Sequence, residues 1–484
     1  MATITFSSLS GTNNTLAFNP TTDILLFDSQ SISAADVLVS TSFTAGTAFT
    51  YNGVSVTLGG IPGIALSSTN VVFANGSKFL VGDQTASTSA DLANGFTFAG
   101  SAGADALYGF NGNDTFNGGD GNDRFFLASA PTSSADTVNG GSGDDRVIFV
   151  GINTSTGSIQ GTTNNTNVNL GTGQATWGTS TVQLNSVEQV QVVAANNTTH
   201  IFSGGDGDET FIVGGTTGTT TASYTFNGGN GADFLAFNSF NTTSVTVSLM
   251  NTSTTWGSAQ VSYSNVESLS GTAGNDSLTG NTGDNSFVGR SGDDVVSGDA
   301  GTDTAIFLLD RVNYTVAPTA SGFTVQATSG TEGSDSLSNV ERLQFANKKI
   351  ALDLAPTENA GQALEFIGAL AHGMVSTPSV VGSILTLFDQ GYNMTSLSQL
   401  AIDVGLINQL AGSSSNADLA RLVFRNVVGQ EADANMVDSL VGYIDGRYAN
   451  YSQAEFIATV AGLELNQQHI NLVGLQSTGV EYII

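Results

Sequence analysis

Up to about residue 355 the apolar residues come in short runs separated by Gly, Asn, Ser and Thr. Beyond about Pro356 they recur at helical spacing instead. In the first 98 residues the runs at 3–6, 24–27, 54–58 and 71–73 are rich in β-formers and bounded by turn residues, which predicts an all-β domain. It reads as a sandwich or as a sheet capping the adjoining segment, and Lys78 is its only basic residue.

Further on, the pattern becomes strictly periodic. Residues 271–307, GTAGNDSLT GNTGDNSFV GRSGDDVVS GDAGTDTAIF, contain consecutive nine-residue units with Gly at the first and fourth places. Their sixth places are Asp276, Asn285, Asp294 and Asp303. Residues 100–126, GSAGADALY GFNGNDTFN GGDGNDRFF, repeat the pattern with Asp105, Asp114 and Asp123. A fixed short period implies stacked identical turns. The glycines admit backbone angles that a Cβ forbids, so the first six residues form a tight turn with inward carbonyls. The last three form a short strand whose middle side chain points in. Leu107, Phe116 and Phe125 then make one apolar ladder, and Leu278, Phe287 and Val296 another, with Ala305 a weak last rung.

Elsewhere the period is interrupted. After a four-residue insertion Asp136 and Asp145 restore the register, and single units start at Gly204, with Glu209 in the Asp place, and at Gly228, with Asp233. An ordinary turn also gives a single match. A longer repeat recurs at 185–190, 264–269 and 338–343 (NSVEQV, SNVESL, SNVERL), each preceded by a strand pair. Its glutamates are expected to belong to caps that close a roll edge rather than to a catalytic pair. The domains are therefore 1–98, 99–355 with three cap modules, and 356–484.

In the last domain Ala360, Leu364, Ile367, Leu370, Ala371 and Met374 share one helix face. Ser396 with Gln399 and Ser452 with Glu455 read as capping boxes, and Gly391, Gly412, Gly429 and Gly446 as helix ends. About five or six helices are expected.

Charge adds a chemical constraint. The chain carries 41 acidic against 11 basic residues, a formal charge of -30, which argues against nucleic acid and anionic membrane surfaces as partners. Carboxylates repeating at a fixed interval repel one another unless a hard cation neutralises them. Calcium, accepting six to eight oxygens in flexible geometry, suits the turn carbonyls better than magnesium. There is no cysteine, so disulfides and thiolate sites are excluded. The opening residues, MATITFSSLSGTNN, lack the basic region and apolar run of a secretory signal, and no stretch is long enough to insert in a membrane. Neither HExxH nor GxSxG occurs, and His200, His372 and His469 are scattered, so no enzyme is expected.

The nine-residue units resemble the RTX repeat, G-G-x-G-x-D-x-U-x, a calcium-binding parallel β-roll. The resemblance implies one calcium between a turn and the turn two units later. Asp105 would pair with Asp123, completed by carbonyls of Gly100, Ala102, Gly119 and Gly121. Asp276 would pair with Asp294, and Asn285 with Asp303 in a weaker or empty site. Asp114, Asp136, Asp145, Glu209 and Asp233 complete the implied ligand set. The family also implies export by type I secretion machinery reading a C-terminal signal, and an extracellular location. Residues 419–484 resemble a helical domain of unknown function found in bacterial RTX surface proteins. The expected function is a calcium-dependent surface-layer or filament subunit whose main partner is itself, with cell-surface polysaccharide as a further partner. The alternative is a calcium-dependent adhesin or matrix protein that binds a glycan.

Overall fold

The computed structural model describes residues 2–11, 14–42, 46–61, 65–82, 95–109, 112–128, 133–152, 159–215, 221–237 and 242–484. It is mainly β with C-terminal helices and divides into two compact bodies, Met1–Ser277 and Leu278–Ile484.

The N-terminal body opens with a parallel sheet of Thr3–Thr5, Ile24–Phe27 and Val71–Phe73, and a second sheet of Asn14–Leu16, Val54–Gly59, Gly46–Tyr51 and Leu38–Ser42. Phe27 stacks on Phe6 and Phe73 at 4.6 and 4.5 Å between ring centroids. This core continues through Phe49 and Phe79 into Tyr108, Ile148 and Val150, so the opening sheets pack on the outer face of the adjoining roll.

In the roll, successive units feed two parallel sheets in turn. One runs Phe79–Val81, Ala106–Gly109, Arg124–Ala128, Arg146–Ile152, Gln189–Ala194, Thr210–Gly215, Phe234–Phe237 and Ser268–Ser270. Its inner ladder is Leu107, Phe125, Val147, Val190, Phe211, Leu235 and Leu269, aligned by register and all wholly buried. The facing sheet starts with Thr97–Ser101, Thr115–Asp120, Ala135–Ser142 and Ser180–Asn185, and supplies Phe98, Phe116, Val138 and Leu184. Its outer edge carries a side-chain ladder, in which the Asn185 amide donates to Asn139 and that of Asn139 to Asn117. The four-residue insertion falls at residues 129–132, outside the described residues. Across it both sheets pair at an offset of 22 residues instead of 18.

The interruptions are antiparallel inserts that leave the roll running. Thr166–Asn169, Gln174–Trp177 and Ser180–Asn185 form a meander within the second sheet, and Thr199–Ser203 resumes parallel pairing beside it. Trp177 seats this meander, its Nε1 donating to Thr162 Oγ1 at 2.9 Å and its ring meeting Phe149 edge-on. Trp256 does the same with the Thr243 carbonyl and Phe237. The strands after Ser186 and Asn265 pair back into the first sheet, so these elements carry the roll onward where an edge closure was expected.

In the C-terminal body, Ser286–Val288, Thr304–Ile306, Arg342–Gln344 and Lys349–Ala351 form one sheet, and Val295–Ser297, Ser334–Ser338, Phe323–Ala327 and Tyr314–Pro318 the other. The helical domain surrounds Asn359–Ala371, and the final strand, Val480–Tyr482, returns to pair with Lys349–Ala351. Nine α-helices occur among the described residues, more than the spacing predicts, because Leu406–Ala411, Glu464–His469 and Leu472–Leu475 are too short to show a period. The box at Ser452 and Glu455 forms, whereas Ser396 is the third helical residue of a box headed by Asn393. Gly412 and Gly429 end their helices in the left-handed region.

Arg342 is buried and bonds Asp353, and through its other terminal nitrogen Asp389 in the helix Pro378–Asp389 at 2.9 Å. Breaking a buried pair leaves an uncompensated charge. Arg342→Ala is expected to destabilise this body by about 3–5 kcal/mol, read from urea unfolding in calcium, with Asp353→Asn recovering part of the loss.

Candidate metal centre

Each acidic residue at a sixth place ends its turn at the start of a strand, so parallel register stacks one carboxylate on the next. One oxygen is used alike at most rungs: it accepts the backbone N–H of the preceding rung. Asp105 Oδ1 accepts from Lys78, Asp123 Oδ1 from Asp105 at 2.7 Å, and Asp145 Oδ1 from Asp123 at 2.8 Å. On the other side of the roll Asp114 accepts from Phe96 and Asp136 from Asp114, both at 2.9 Å. Asp233 accepts from Glu209, and Asp276 from Val245. In the C-terminal body Asp303 accepts from Asn285 at 2.8 Å, and Asp335 from Asp294 at 3.0 Å.

The second oxygen separates the rungs into two groups. In Asp105, Glu209, Asp276 and Asn285 a side-chain oxygen turns back onto the amide of the second residue of its own turn: Ser101, Gly205, Thr272 and Asn281. In Asp123, Asp145, Asp233 and Asp303 the Oδ2 is buried without a hydrogen-bond partner. The first glycine of the turn explains where it points. A Cβ on Gly118 would collide with Asp123 Oδ2 and with the carbonyl oxygen of Gly140, the first residue of the next stacked turn. Two oxygen acceptors thus converge on a space that only glycine leaves open. Gly119 and Gly121, with φ of +115° and +106°, shape the same turn in the left-handed region.

These surroundings oppose charge. Burial pushes the carboxyls of Asp114 and Asp145 up to about 6, and those of Asp123, Asp136, Asp233 and Asp303 up to about 7. Neighbouring carboxylates add to the shift, Asp105 and Asp145 acting on Asp123, and Glu341 on Asp303. Asp335, raised chiefly by burial, reaches about 8.

At the start of the ladder the protein supplies its own positive charge. Strand register places Lys78 opposite Asp105, in the position of the acidic residue. Its ammonium donates to the carbonyls of Ala99 at 2.9 Å and Gly100 at 2.6 Å. Gly100 opens its turn as Gly140 opens the turn facing Asp123, so a cationic group here meets the carbonyl that elsewhere faces an orphaned carboxylate. The donor set, carboxylate and carbonyl oxygens without nitrogen or sulfur, fits a hard divalent cation such as calcium. Among the described residues no three acidic or histidine side chains converge on one point. An ion would be held by carboxylates together with turn carbonyls.

Four acidic residues of this ladder were not among the expected ligands. Besides Asp335, Glu188 Oε2 accepts from Asp145 N–H at 2.9 Å, Glu267 from Asp233 at 3.0 Å, and Glu341 from Asp303 at 2.8 Å. The recurrence of the glutamates in the longer repeat, and Gly330 and Gly333 at the first and fourth places before Asp335, were the available signals. The histidines are less scattered than their sequence positions suggest, since His372 and His469 stack at 3.9 Å in the helical domain.

Residues 97–125, 132–148 and 270–305 match the model of the RTX calcium-binding nonapeptide repeat (4 copies). The chain thus carries calcium-binding repeats of this type in both bodies. No curated protein matches it.

The oxygen geometry generates two predictions. Gly118→Ala fills the space between Asp123 Oδ2 and the Gly140 carbonyl, and is expected to raise the calcium midpoint of folding about tenfold or more, about 1.4 kcal/mol per decade, in a circular dichroism titration. In the absence of divalent cations, carboxyls raised to about 6–7 bind protons in the folded state that an unfolded chain, with carboxyls near 4, releases. Their stabilising protonation is complete below about pH 4 and is lost as pH rises through about 7. Calcium needs the ionised form. Calorimetry should therefore show the metal-free Tm falling between about pH 4 and 7, while the calcium-loaded Tm stays nearly level from about pH 5 upward.

Proposed function

We propose that this chain is a calcium-dependent, self-assembling structural protein of the cell exterior, a surface-layer or filament subunit without catalytic activity. The observation that carries the reading is a roll whose interior is spent on apolar ladders and carboxylate rungs while the outer face of its second sheet is polar. Along Gln174–Trp177, Ser180–Asn185 and Ala259–Ser264 every second side chain is buried, and the alternate ones are mostly Thr, Gln and Ser. Such a face suits extended side-by-side contact between copies. Calcium filling couples folding to location: in calcium-poor cytosol the stacked carboxylates oppose compaction and the chain stays competent for type I export. Outside, sites with affinities on the order of 0.1–1 mM fill. An ion at ten times its dissociation constant adds roughly 1.4 kcal/mol, and several reach the stability of a whole domain.

One feature favours the second reading, an adhesin or matrix protein that holds a glycan. A concavity of about 540 Å³ on the first insert is lined by Asn167, Asn169, Thr172, Gln174 and Gln183, whose amides and hydroxyl suit sugar hydroxyls.

Calcium titration followed by circular dichroism, light scattering and negative-stain microscopy tests the assignment. Ordered sheets or filaments should appear as the β signal rises, and Asp123→Ala should move both transitions to higher calcium. A folded monomer that persists at millimolar calcium overturns the scaffold reading and directs attention to glycan binding.

A further inference from the structure

We propose that the short turns ending in Glu188, Glu267 and Glu341 are divalent-cation sites, each completed by the carboxylate of the preceding rung: Asp145 with Glu188, Asp233 with Glu267, Asp303 with Glu341. The inference rests on the reading that the nine-residue turns bind calcium, and extends it to turns outside the matched residues.

Strand register shows what these turns are. Ala135–Asn139 pairs with Thr181–Asn185 at an offset of 46 residues, whereas just past the turn Arg146 pairs with Gln189 at an offset of 43. The turn has lost three residues. The same loss recurs twice, from 37 to 34 between the strands flanking Asn265 and from 41 to 38 between those flanking Asn339. Ser186, Asn265 and Asn339 hold the place of the first glycine, with φ of 49°, 51° and 48°. The glutamate holds the place of the aspartate. A shorter turn carries a side chain one methylene longer, and its carboxylate still accepts the N–H of the rung before it.

The metal chemistry survives the shortening. The carbonyl oxygens of Ser186, Asn265 and Asn339 lie where a Cβ on Gly140, Gly228 or Gly298 would sit, beside Asp145 Oδ2, Asp233 Oδ2 and Asp303 Oδ2 respectively. Those three carboxylate oxygens are buried and have no hydrogen-bond partner, and each parent aspartate is wholly buried. Carbonyl and orphaned carboxylate meet as Gly140 and Asp123 meet in a matched repeat, and at Gly100 that carbonyl is bound by the Lys78 ammonium. Two acceptors facing each other without a donor require a proton or a cation between them. Because the missing residues take their carbonyls with them, water fills more of the coordination shell, and these sites load at higher calcium than the full turns.

The test counts bound ions. Wild type and the variant Glu188→Gln/Glu267→Gln/Glu341→Gln are dialysed against graded calcium, and bound metal is measured by elemental analysis alongside circular dichroism. Glutamine keeps an oxygen for the rung amide but removes the charge. The variant is expected to bind one calcium fewer for each glutamate replaced, the loss falling in the weaker phase, with the β signal at saturating calcium retained. An ion count equal to wild type overturns the inference. A wild type that binds no calcium overturns instead the reading it rests on. Should the triple variant not reach the native β signal, the single variants decide, each losing one ion or refuting its own site.

Discussion

Carboxylate stacked on carboxylate, one oxygen committed to a backbone amide and the other facing a carbonyl, is the arrangement on which the roll depends. Apolar ladders such as Leu107 to Leu269 supply the driving force for collapse. They do so only by drawing the aspartates at their strand ends into the same dry stack. Burial and mutual repulsion then act against the fold at rungs such as Asp123 and Asp303, and a formal charge of -30 leaves few basic residues to offset them. A cation between rungs would turn that opposition into attraction and so couple stability to ion content.

The positive charge that the chain does provide is placed sparingly. In the N-terminal body Lys78 begins the ladder at the acidic position and occupies the turn carbonyls that would otherwise be bare. In the C-terminal body Arg342 comes directly after the glutamate rung and spends its guanidinium on Asp353 and Asp389, fastening the helices to the strand. One residue brings its charge to the turn carbonyls and the other joins two layers.

Much of this was legible in the residues, because a strict period fixes both the turn glycines and the inward side chain. That Leu107, Phe116 and Phe125 point inward follows from the spacing, but the single ladder expected of them is divided, Leu107 and Phe125 lying in one sheet and Phe116 in the facing one. The alignment of Asp105 with Asp123 comes from the RTX resemblance. What escaped was whatever altered the period. The glutamate turns drop three residues, so their kinship with the nonapeptide exists in strand register and not in spacing. Lys78 stood out only as the single basic residue of its domain, because nothing local marks the start of a stack. Asp335 holds the sixth place of a complete unit, residues 330–338, whose glycines at the first and fourth places went unread because it follows an antiparallel insert. The division between orphaned and satisfied carboxylates was likewise invisible, since it depends on which turn amide the side chain can reach. The shortest helices carry too few residues to display a face.

The inserts have a consequence for how such a chain changes over evolutionary time. The meander of Thr166–Asn169, Gln174–Trp177 and Ser180–Asn185 enters and leaves the stack without disturbing the alignment of the strands on either side. Sequence of almost any content can therefore be accreted or lost between two rungs while the spine keeps its pitch. The chain behaves as a rack into which surface modules are slotted, each free to diversify because the stack reads only the strand ends it receives.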